Sequence, residues 1–166
     1  MLDVKIATYP THAQIHVQAW QSAYAGILSS DYLAALSIDK RETMWRETIE
    51  KQTPELLVAR ADGSMLGWIS FGPSRDEAAP ASTGEVWALY VAPQYWGSGA
   101  GRQLWLRARE RLVQRRFVCV SLWVLAANAR AIRFYEVAGF VPEDGTAKDF
   151  ELGGRMVQEL HYKTTL

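Results

Sequence analysis

Cysteine is almost absent from this chain of 166 residues, since Cys119 is the only one. A single cysteine excludes an intramolecular disulfide and any metal site built from several cysteines. No apolar run approaches the length that spans a membrane, and the first residues lack the basic and apolar blocks of a secretory signal. These absences predict a cytoplasmic protein that does not enter the membrane.

The chain also has no net charge, because its 18 Lys and Arg residues balance its 18 Asp and Glu residues. No global field therefore draws the chain to nucleic acid or to an anionic membrane, and any bound anion must be held by local geometry. His12, His16 and His161 have no carboxylate or cysteine partner at ligand spacing, so no metal site is predicted. The length and the hydrophobic share of 49% suit one globular domain, residues 1–166.

Strand-like and helix-like segments alternate along the chain. The part over 85–125 predicts a strand, a helix and a second strand, which together form a βαβ unit with parallel strands. The whole pattern predicts a mixed α/β fold. The predicted order is a strand near 4–7, helices over 12–24 and 29–50, strands over 55–61, 65–71 and 85–91, a helix over 99–115, a strand over 117–125, a helix over 128–138 and strands near 140 and 156–163.

Three glycines, Gly97, Gly99 and Gly101, lie between a predicted strand and the first turn of the next helix. Glycine permits positive φ angles and a close approach of backbone to a ligand. A helix start also offers unpaired N–H groups and the positive end of the helix dipole, which suit a phosphate. Arg102 in that first turn indicates an anion nearby. A tight turn followed by a solvated arginine is the alternative interpretation.

Two common phosphate-binding motifs do not match this loop. A P-loop requires Lys and then Ser or Thr after its last glycine, where this chain has Arg102 and Gln103. A dinucleotide-binding fingerprint requires glycine at position 102 and an acidic residue at the end of the second strand, which here ends in Leu125 and Ala126. Both motifs are therefore excluded.

The loop and a second motif together resemble the Gcn5-related N-acetyltransferases. The cofactor loop of that family reads Gln/Arg-x-x-Gly-x-Gly/Ala, which is Gln94 to Gly99 here. Residues Asn128 to Phe140 match the family's N-x-x-A-x-x-F-Y-x-x-x-G-F. The first motif lies inside the βαβ unit and the second follows it, and the resemblance covers the chain from about Leu66 onward. A weaker similarity to some bacterial small-molecule members lies over 20–28.

This resemblance implies a twisted, mixed and mostly antiparallel central sheet of about six to seven strands, flanked by about four helices. The fourth and fifth strands are expected to be parallel and to splay apart at a bulge, which the sequence alone does not show. The resemblance also implies acetyl-CoA as co-substrate and no metal. The implied cofactor-binding residues are Leu89, Tyr90, Val91, Gln94, Trp96, Gly97, Ser98, Gly99, Ala100, Gly101, Arg102, Asn128 and Tyr135.

Two residues are the catalytic candidates. Glu85 opens a strand, and alternation puts it on one face with Trp87 and Leu89, where desolvation would suit it to accept a proton directly or through water. A polar strand-entry residue is the alternative. Tyr135 shares a helix face with Asn128, and the resemblance makes it the acid that protonates the leaving thiolate. A core tyrosine with a bonded hydroxyl is the alternative.

The acceptor is a primary amine of a small molecule or peptide, expected to attack the thioester directly in a ternary complex. Aromatic faces suit ammonium groups, so Trp20, Tyr24, Trp68 and Trp87, with the loop over 72–84, are candidate pocket walls. Each of them could equally be core. A CoA-binding regulatory module and an acetyltransferase of protein N-termini or lysines remain alternatives. A homodimer is common in the family and stays open.

Overall fold

The computed structural model describes residues 3–6, 11–50 and 53–166. The strand predicted near 4–7 ends at Ile6, and position 7 lies outside the described residues. In chain order the elements are β1 (Asp3–Ile6), α1 (Thr11–Ala23), α2 (Ser30–Ala34), α3 (Ile38–Glu50), β2 (Glu55–Ala61), β3 (Ser64–Pro73), β4 (Thr83–Val91), a single 3-10 turn (Pro93–Tyr95), α4 (Ala100–Gln114), β5 (Cys119–Leu125), α5 (Ala129–Val137), β6 (Val141–Pro142), β7 (Lys148–Leu152) and β8 (Arg155–Thr165).

The strands form one sheet in the order β1-β2-β3-β4-β5-β8-β6, with β7 paired to β8. Only β4 and β5 run parallel among the described strands, so the predicted mixed and mostly antiparallel sheet is confirmed. The described residues contain eight strands rather than six or seven, because β7 forms a hairpin with β8 and two residues pair as β6.

The helix predicted over 29–50 is divided into α2 and α3. The Ser29 hydroxyl caps α2 by accepting a hydrogen bond from the Tyr32 N–H at 3.3 Å. The Ser37 hydroxyl accepts from the Lys40 N–H at 3.3 Å and so starts α3 in the same way. Serine is favoured at a helix N-terminus, so each of the two begins a helix.

Helices cover both faces of the sheet. On one face, α4 packs Leu104, Ala108 and Leu112 against a buried cluster that includes Val120 of β5. On the other face lies a smaller cluster around Trp68 of β3. It includes Ile15 of α1 and Trp45 of α3. Strands β4 and β5 therefore lie between two helical layers.

A bulge interrupts β4 at Trp87. Ser70 of β3 pairs with Ala88, whereas the next residue, Phe71, pairs with Val86. Trp87 is the extra residue between the two pairs, as in a β-bulge. The family resemblance implied a bulge in this strand, and the structure contains one.

The bulge changes which face the later residues of β4 occupy. Val86 and Leu89 both pack on the α4 face, although simple alternation would place them on opposite faces. Glu85 is adjacent to Val86 and therefore faces the other way. The expectation that Glu85 and Leu89 share a face is wrong, because it assumed an uninterrupted strand.

The parallel strands β4 and β5 pair over only three residues each. Thr83, Gly84 and Glu85 are partners of Cys119, Val120 and Ser121. No ladder pair joins the remaining described residues of the two strands, so they separate from Val86 onward. The expected splay is present, and it leaves backbone groups of β4 unpaired along the gap.

Candidate active site

A cleft of about 870 Å³ lies where β4 and β5 separate. Its walls come from the free part of β4, the glycine loop, the start of α4, the end of β5, helix α5, the end of α1 and the β7–β8 hairpin. Ten of the residues implied as cofactor-binding line it, namely Leu89, Tyr90, Val91, Trp96, Gly97, Gly99, Gly101, Arg102, Asn128 and Tyr135.

The other three implied cofactor residues do not line this cleft. Gln94 is exposed outside it, and Ala100 is buried at the start of α4. The Ser98 hydroxyl accepts a hydrogen bond from the Ala100 N–H at 3.3 Å, so it supports the helix start. Ser98 and Ala100 therefore support the start of α4 beside the loop.

Gly97 and Gly99 form an open backbone cradle at one end of the cleft. Their φ angles are +80° and +86°, a region that favours glycine. A Cβ atom added to either residue would meet no protein atom within 4 Å. The space over this backbone is therefore free for a ligand, and it lies at the N-terminus of α4.

Three arginines make this end of the cleft cationic. Arg102 comes from the first turn of α4, and Arg130 and Arg133 come from α5. The Arg130 guanidinium lies 4.3 Å from the centroid of the Trp96 ring, whose N–H donates to the Val91 carbonyl at 2.8 Å. Sequence analysis did not single out Arg130 and Arg133, although they stand inside the Asn128 motif.

Helix α5 positions Asn128 and Tyr135. The Asn128 Oδ1 atom accepts from the Ala131 N–H at 3.2 Å and so caps the helix. The Tyr135 ring packs against Phe134 and Phe140, at centroid distances of 5.2 and 5.6 Å. Within the described part of the chain, no hydrogen bond involves the Tyr135 hydroxyl, which leaves it available in the cleft. Burial, and then the neighbouring Tyr90, raises the pKa of Tyr135, so the phenol stays protonated at neutral pH.

Aromatic residues of α1 and β4 form the wall opposite α5. The Trp20 N–H donates to the Tyr90 hydroxyl at 2.8 Å, and the Tyr24 ring meets Trp20 edge to face at 5.0 Å. Trp20, Tyr24 and Trp87 line the cleft. Trp68 does not, which corrects its expected place in the pocket wall. It is fully buried, and its N–H donates to the His12 carbonyl at 3.2 Å.

Glu85 is buried but does not line the cleft. One carboxylate oxygen accepts from the Arg75 backbone N–H at 2.8 Å, and the other accepts from the Arg75 guanidinium Nε at 2.9 Å. The Arg75 guanidinium also lies 4.8 Å from the centroid of the Trp87 ring. This arrangement ties the bulge to the β3–β4 connection and favours a positioning role for Glu85.

Glu159 is the one carboxylate among the described residues that line the cleft. It lies on β8 opposite Leu125, the last residue of β5. Burial raises its pKa, although Lys148 and Arg75 oppose the shift. Sequence analysis missed this residue, because nothing in its local pattern distinguishes it from other polar strand residues.

The loop between α1 and α2 is fastened to the β7–β8 hairpin. The Ser29 hydroxyl donates to the Gly153 carbonyl at 2.9 Å. The Arg155 guanidinium donates to the carbonyl of Gly26 at 3.2 Å and to that of Ile27 at 3.3 Å. The similarity noted over 20–28 thus falls on a segment that contributes Trp20 and Tyr24 to the cleft.

Neither a metal site nor a membrane span is evident in residues 3–6, 11–50 and 53–166. No three His, Cys, Asp or Glu side chains there are grouped so that they could hold a metal ion. None of the helices in that part of the chain is both long and apolar enough to cross a bilayer.

Comparison with known proteins gives the chain its family. The model of the acetyltransferase (GNAT) family matches residues 17–140. An uncharacterized N-acetyltransferase of Bacillus subtilis is 31% identical over 159 residues, which cover 95% of this chain and 88% of the relative. A spermidine N(1)-acetyltransferase of Thermoplasma acidophilum is 26% identical over 152 residues, which cover 89% of this chain and 91% of the relative.

Solved structures show the same fold. The PaiA N-acetyltransferase of Thermoplasma acidophilum, crystallised in complex with coenzyme A, superimposes with a TM-score of 0.76 at 20% identity, covering 100% of this chain and 99% of that one. The chain belongs to the GNAT family of N-acetyltransferases and is an acyltransferase.

Proposed function

We propose that residues 1–166 act as a single N-acetyltransferase domain, which transfers the acetyl group of acetyl-CoA to a primary amine by direct attack in a ternary complex. The observation that carries this proposal is the cleft between the splayed strands β4 and β5. The cleft joins a glycine cradle with three arginines to a free strand edge and to Tyr135, whose hydroxyl makes no hydrogen bond to the described residues.

The residues present fit acetyl-CoA. Gly97, Gly99 and Arg102 would hold its pyrophosphate, because open backbone at a helix N-terminus and a guanidinium both suit phosphate. Its pantetheine amides would pair with the backbone of Leu89 to Val91, which lacks a β5 partner. When bound, acetyl-CoA supplies an acetyl thioester. A backbone N–H near Leu89 or Tyr90 would then stabilise negative charge on the thioester oxygen.

Tyr135 is proposed as the proton donor to the leaving sulfur. Tyr135 lines the cleft, and the raised pKa keeps its hydroxyl in the protonated form that a donor requires. Asn128 supports this role by starting α5 at the end of β5, since the cap sets where the helix begins.

Glu85 is a weaker candidate for the base than the sequence implied. Both of its oxygens accept hydrogen bonds from Arg75, so taking a proton would disrupt that pairing. We therefore propose that Glu85 holds the β4 bulge in place.

A small amine is the favoured acceptor. The similarity to a spermidine acetyltransferase supports this choice, as does the enclosed, largely aromatic wall near Glu159. The test is a panel of amines assayed for release of free thiol, after calorimetry has measured acetyl-CoA binding. Turnover of small amines is expected. Absence of acetyl-CoA binding would contradict the proposal. Binding with no turnover would favour a regulatory module, and turnover of peptide N-termini alone would favour a protein acetyltransferase.

A further inference from the structure

The ionisable residues divide the cleft into two ends of opposite charge. Arg102, Arg130 and Arg133 lie on α4 and α5, whereas Glu159 lies on β8. These four are the only Asp, Glu, Lys or Arg side chains among the described residues that line the cleft. An anion is therefore attracted to one end and a cation to the other.

Glu159 has a potential partner that is directed elsewhere. Lys148 of β7 pairs directly with Glu159 in the hairpin register. The Lys148 ammonium instead lies 3.9 Å from the centroid of the Trp123 ring. In the part of the chain that the structure describes, no ion pair or hydrogen bond involves the Glu159 carboxylate. A half-buried carboxylate that makes neither contact favours a cation from outside.

The surroundings of Glu159 suit the uncharged part of an alkyl amine. Tyr24, Phe150 and Leu152 line the same cleft, and Phe150 and Leu152 lie on β7, the strand that pairs with β8. Glu159 is also close enough to Tyr24 to raise the pKa of that phenol, after the larger effects of burial and two other tyrosines. An ammonium at Glu159 would therefore be enclosed by apolar and aromatic surface.

We propose that Glu159 receives the ammonium group of the acceptor and is the first group to take its proton, and that the site prefers primary amines without a carboxylate beside the amino group. This inference rests on the acetyltransferase function proposed above. A carboxylate on the same carbon would be brought against Glu159, and the three arginines that line the cleft lie on α4 and α5 rather than on β8. Arg75, which also lies near Glu159, is already paired with Glu85.

Glu159 and Tyr135 together handle the protons of the proposed reaction. One ammonium proton passes to Glu159 and later to solvent. The nitrogen then bonds to the acetyl carbon as the carbon–sulfur bond breaks. Tyr135 gives its proton to the sulfur and is reprotonated by the second proton that the nitrogen loses. The products are the amide and the free thiol, with one proton released.

Binding can be tested separately from turnover. Butylamine and norvaline, which is butylamine with a carboxylate on the amino carbon, are each titrated into the protein while amide NMR shifts are followed. We expect butylamine to bind at least about tenfold more tightly than norvaline, and Glu159→Gln to weaken its binding by about tenfold. Glu151→Gln is the matched control, because Glu151 is exposed on β7 outside the cleft. Equal binding of butylamine to wild type and Glu159→Gln would overturn the inference.

The pH dependence of butylamine acetylation gives a second readout. With Glu159 ionised, the protein binds the ammonium form, so kcat/KM should stay level between the titration of Glu159 and that of the amine at about pH 10. In Glu159→Gln only the neutral amine is used, so kcat/KM should rise about tenfold per pH unit over that range.

The other charged and titratable groups near Glu159 are Lys148 on β7, Arg75 and Glu85 beside β4, Tyr24 on α1 and His161 on β8. All of them are kept in the variant, so a tenfold rise per pH unit that appears only in Glu159→Gln reports the titration of the amine. Parallel profiles would contradict the role of Glu159 and leave the acetyltransferase function intact. If wild type acetylates no amine but still binds butylamine through Glu159, the proposed function fails and the ammonium site stands.

Discussion

The Glu85 carboxylate accepts the Arg75 backbone N–H at 2.8 Å, and the guanidinium of the same arginine lies against the ring of Trp87, the extra residue of the β4 bulge. The Trp87 N–H donates to the Pro73 carbonyl at 3.1 Å. Three contacts thus hold the bulge from the β3–β4 connection. Because the bulge accompanies the separation of β4 from β5, these contacts help to keep the cleft between the two strands open.

Loss of the Arg75–Glu85 pair should reduce stability and activity together. Arg75→Ala leaves a carboxylate that is only 3% exposed without its cation. We expect unfolding free energy to fall by about 1–2 kcal/mol, a modest cost because half of the Arg75 side chain is exposed. Urea unfolding and amine acetylation would measure both effects.

Glu85→Gln should lower the acetylation rate about as much as Arg75→Ala does, and the shape of the pH profile should stay unchanged. If Glu85→Gln alone abolishes a pH limb, Glu85 is the base after all.

Substitution of the glycine cradle should weaken the cofactor without unfolding the protein. Gly99→Ala places a methyl group in space that holds no protein atom within 4 Å, so its steric effect falls on a ligand. We expect the Kd for acetyl-CoA to rise about tenfold or more, with backbone strain of about 1–2 kcal/mol. Gly145→Ala is the control, because Gly145 has φ +74° and equally open space outside the cleft. Equal acetyl-CoA affinity in the two variants would exclude the cradle as the binding site.

Removal of the Tyr135 hydroxyl should affect chemistry more than binding. In Tyr135→Phe the ring contacts to Phe134 and Phe140 remain, so acetyl-CoA affinity and stability should change little. We expect kcat to fall about 100-fold, a typical contribution of a general acid. Thiol release under saturating acetyl-CoA measures the loss. Tyr32→Phe, on α2 outside the cleft, is the matched control. An unchanged kcat in Tyr135→Phe would remove Tyr135 from the reaction.

Features that depend on a few neighbouring residues could be predicted from the sequence. The turn at Asp62 and Gly63 has positive φ at both residues, a conformation that an Asp-Gly pair favours between two strands. The glycine loop before α4 and the helix cap at Asn128 could also be predicted from the sequence, because each depends on residue type at fixed spacing.

Features that depend on pairing between distant segments could not be predicted from the local sequence. The position of the bulge at Trp87 follows from the register of β3 against β4, and no residue type there requires it. Glu159 reaches the cleft because β8 pairs with the end of β5, after a helix and a further hairpin. The division of the cleft into a cationic and an anionic end therefore becomes visible only in the folded chain.

Two buried histidines should make the protein acid-sensitive. Burial, with smaller effects of Arg60 and Arg41, lowers the pKa of His12 to about 4 and that of His16 to about 3. In the unfolded chain both titrate near 6.5, so the unfolded state binds more protons as the pH falls. Stability from this source is full above pH 6.5 and is lost as the pH falls from there toward 4.

His12 offers the sharper test of this acid sensitivity, because neither nitrogen of its ring has a hydrogen-bond partner among the described residues. His12→Leu should cost little near pH 7.5, since it removes no bond. Between pH 7.5 and 5, wild type should lose about 2 kcal/mol of unfolding free energy more than the variant, as linkage requires for one such histidine. Urea unfolding at the two pH values measures the difference. Identical losses in the two proteins would show that His12 becomes protonated without unfolding, and the burial argument would then fail.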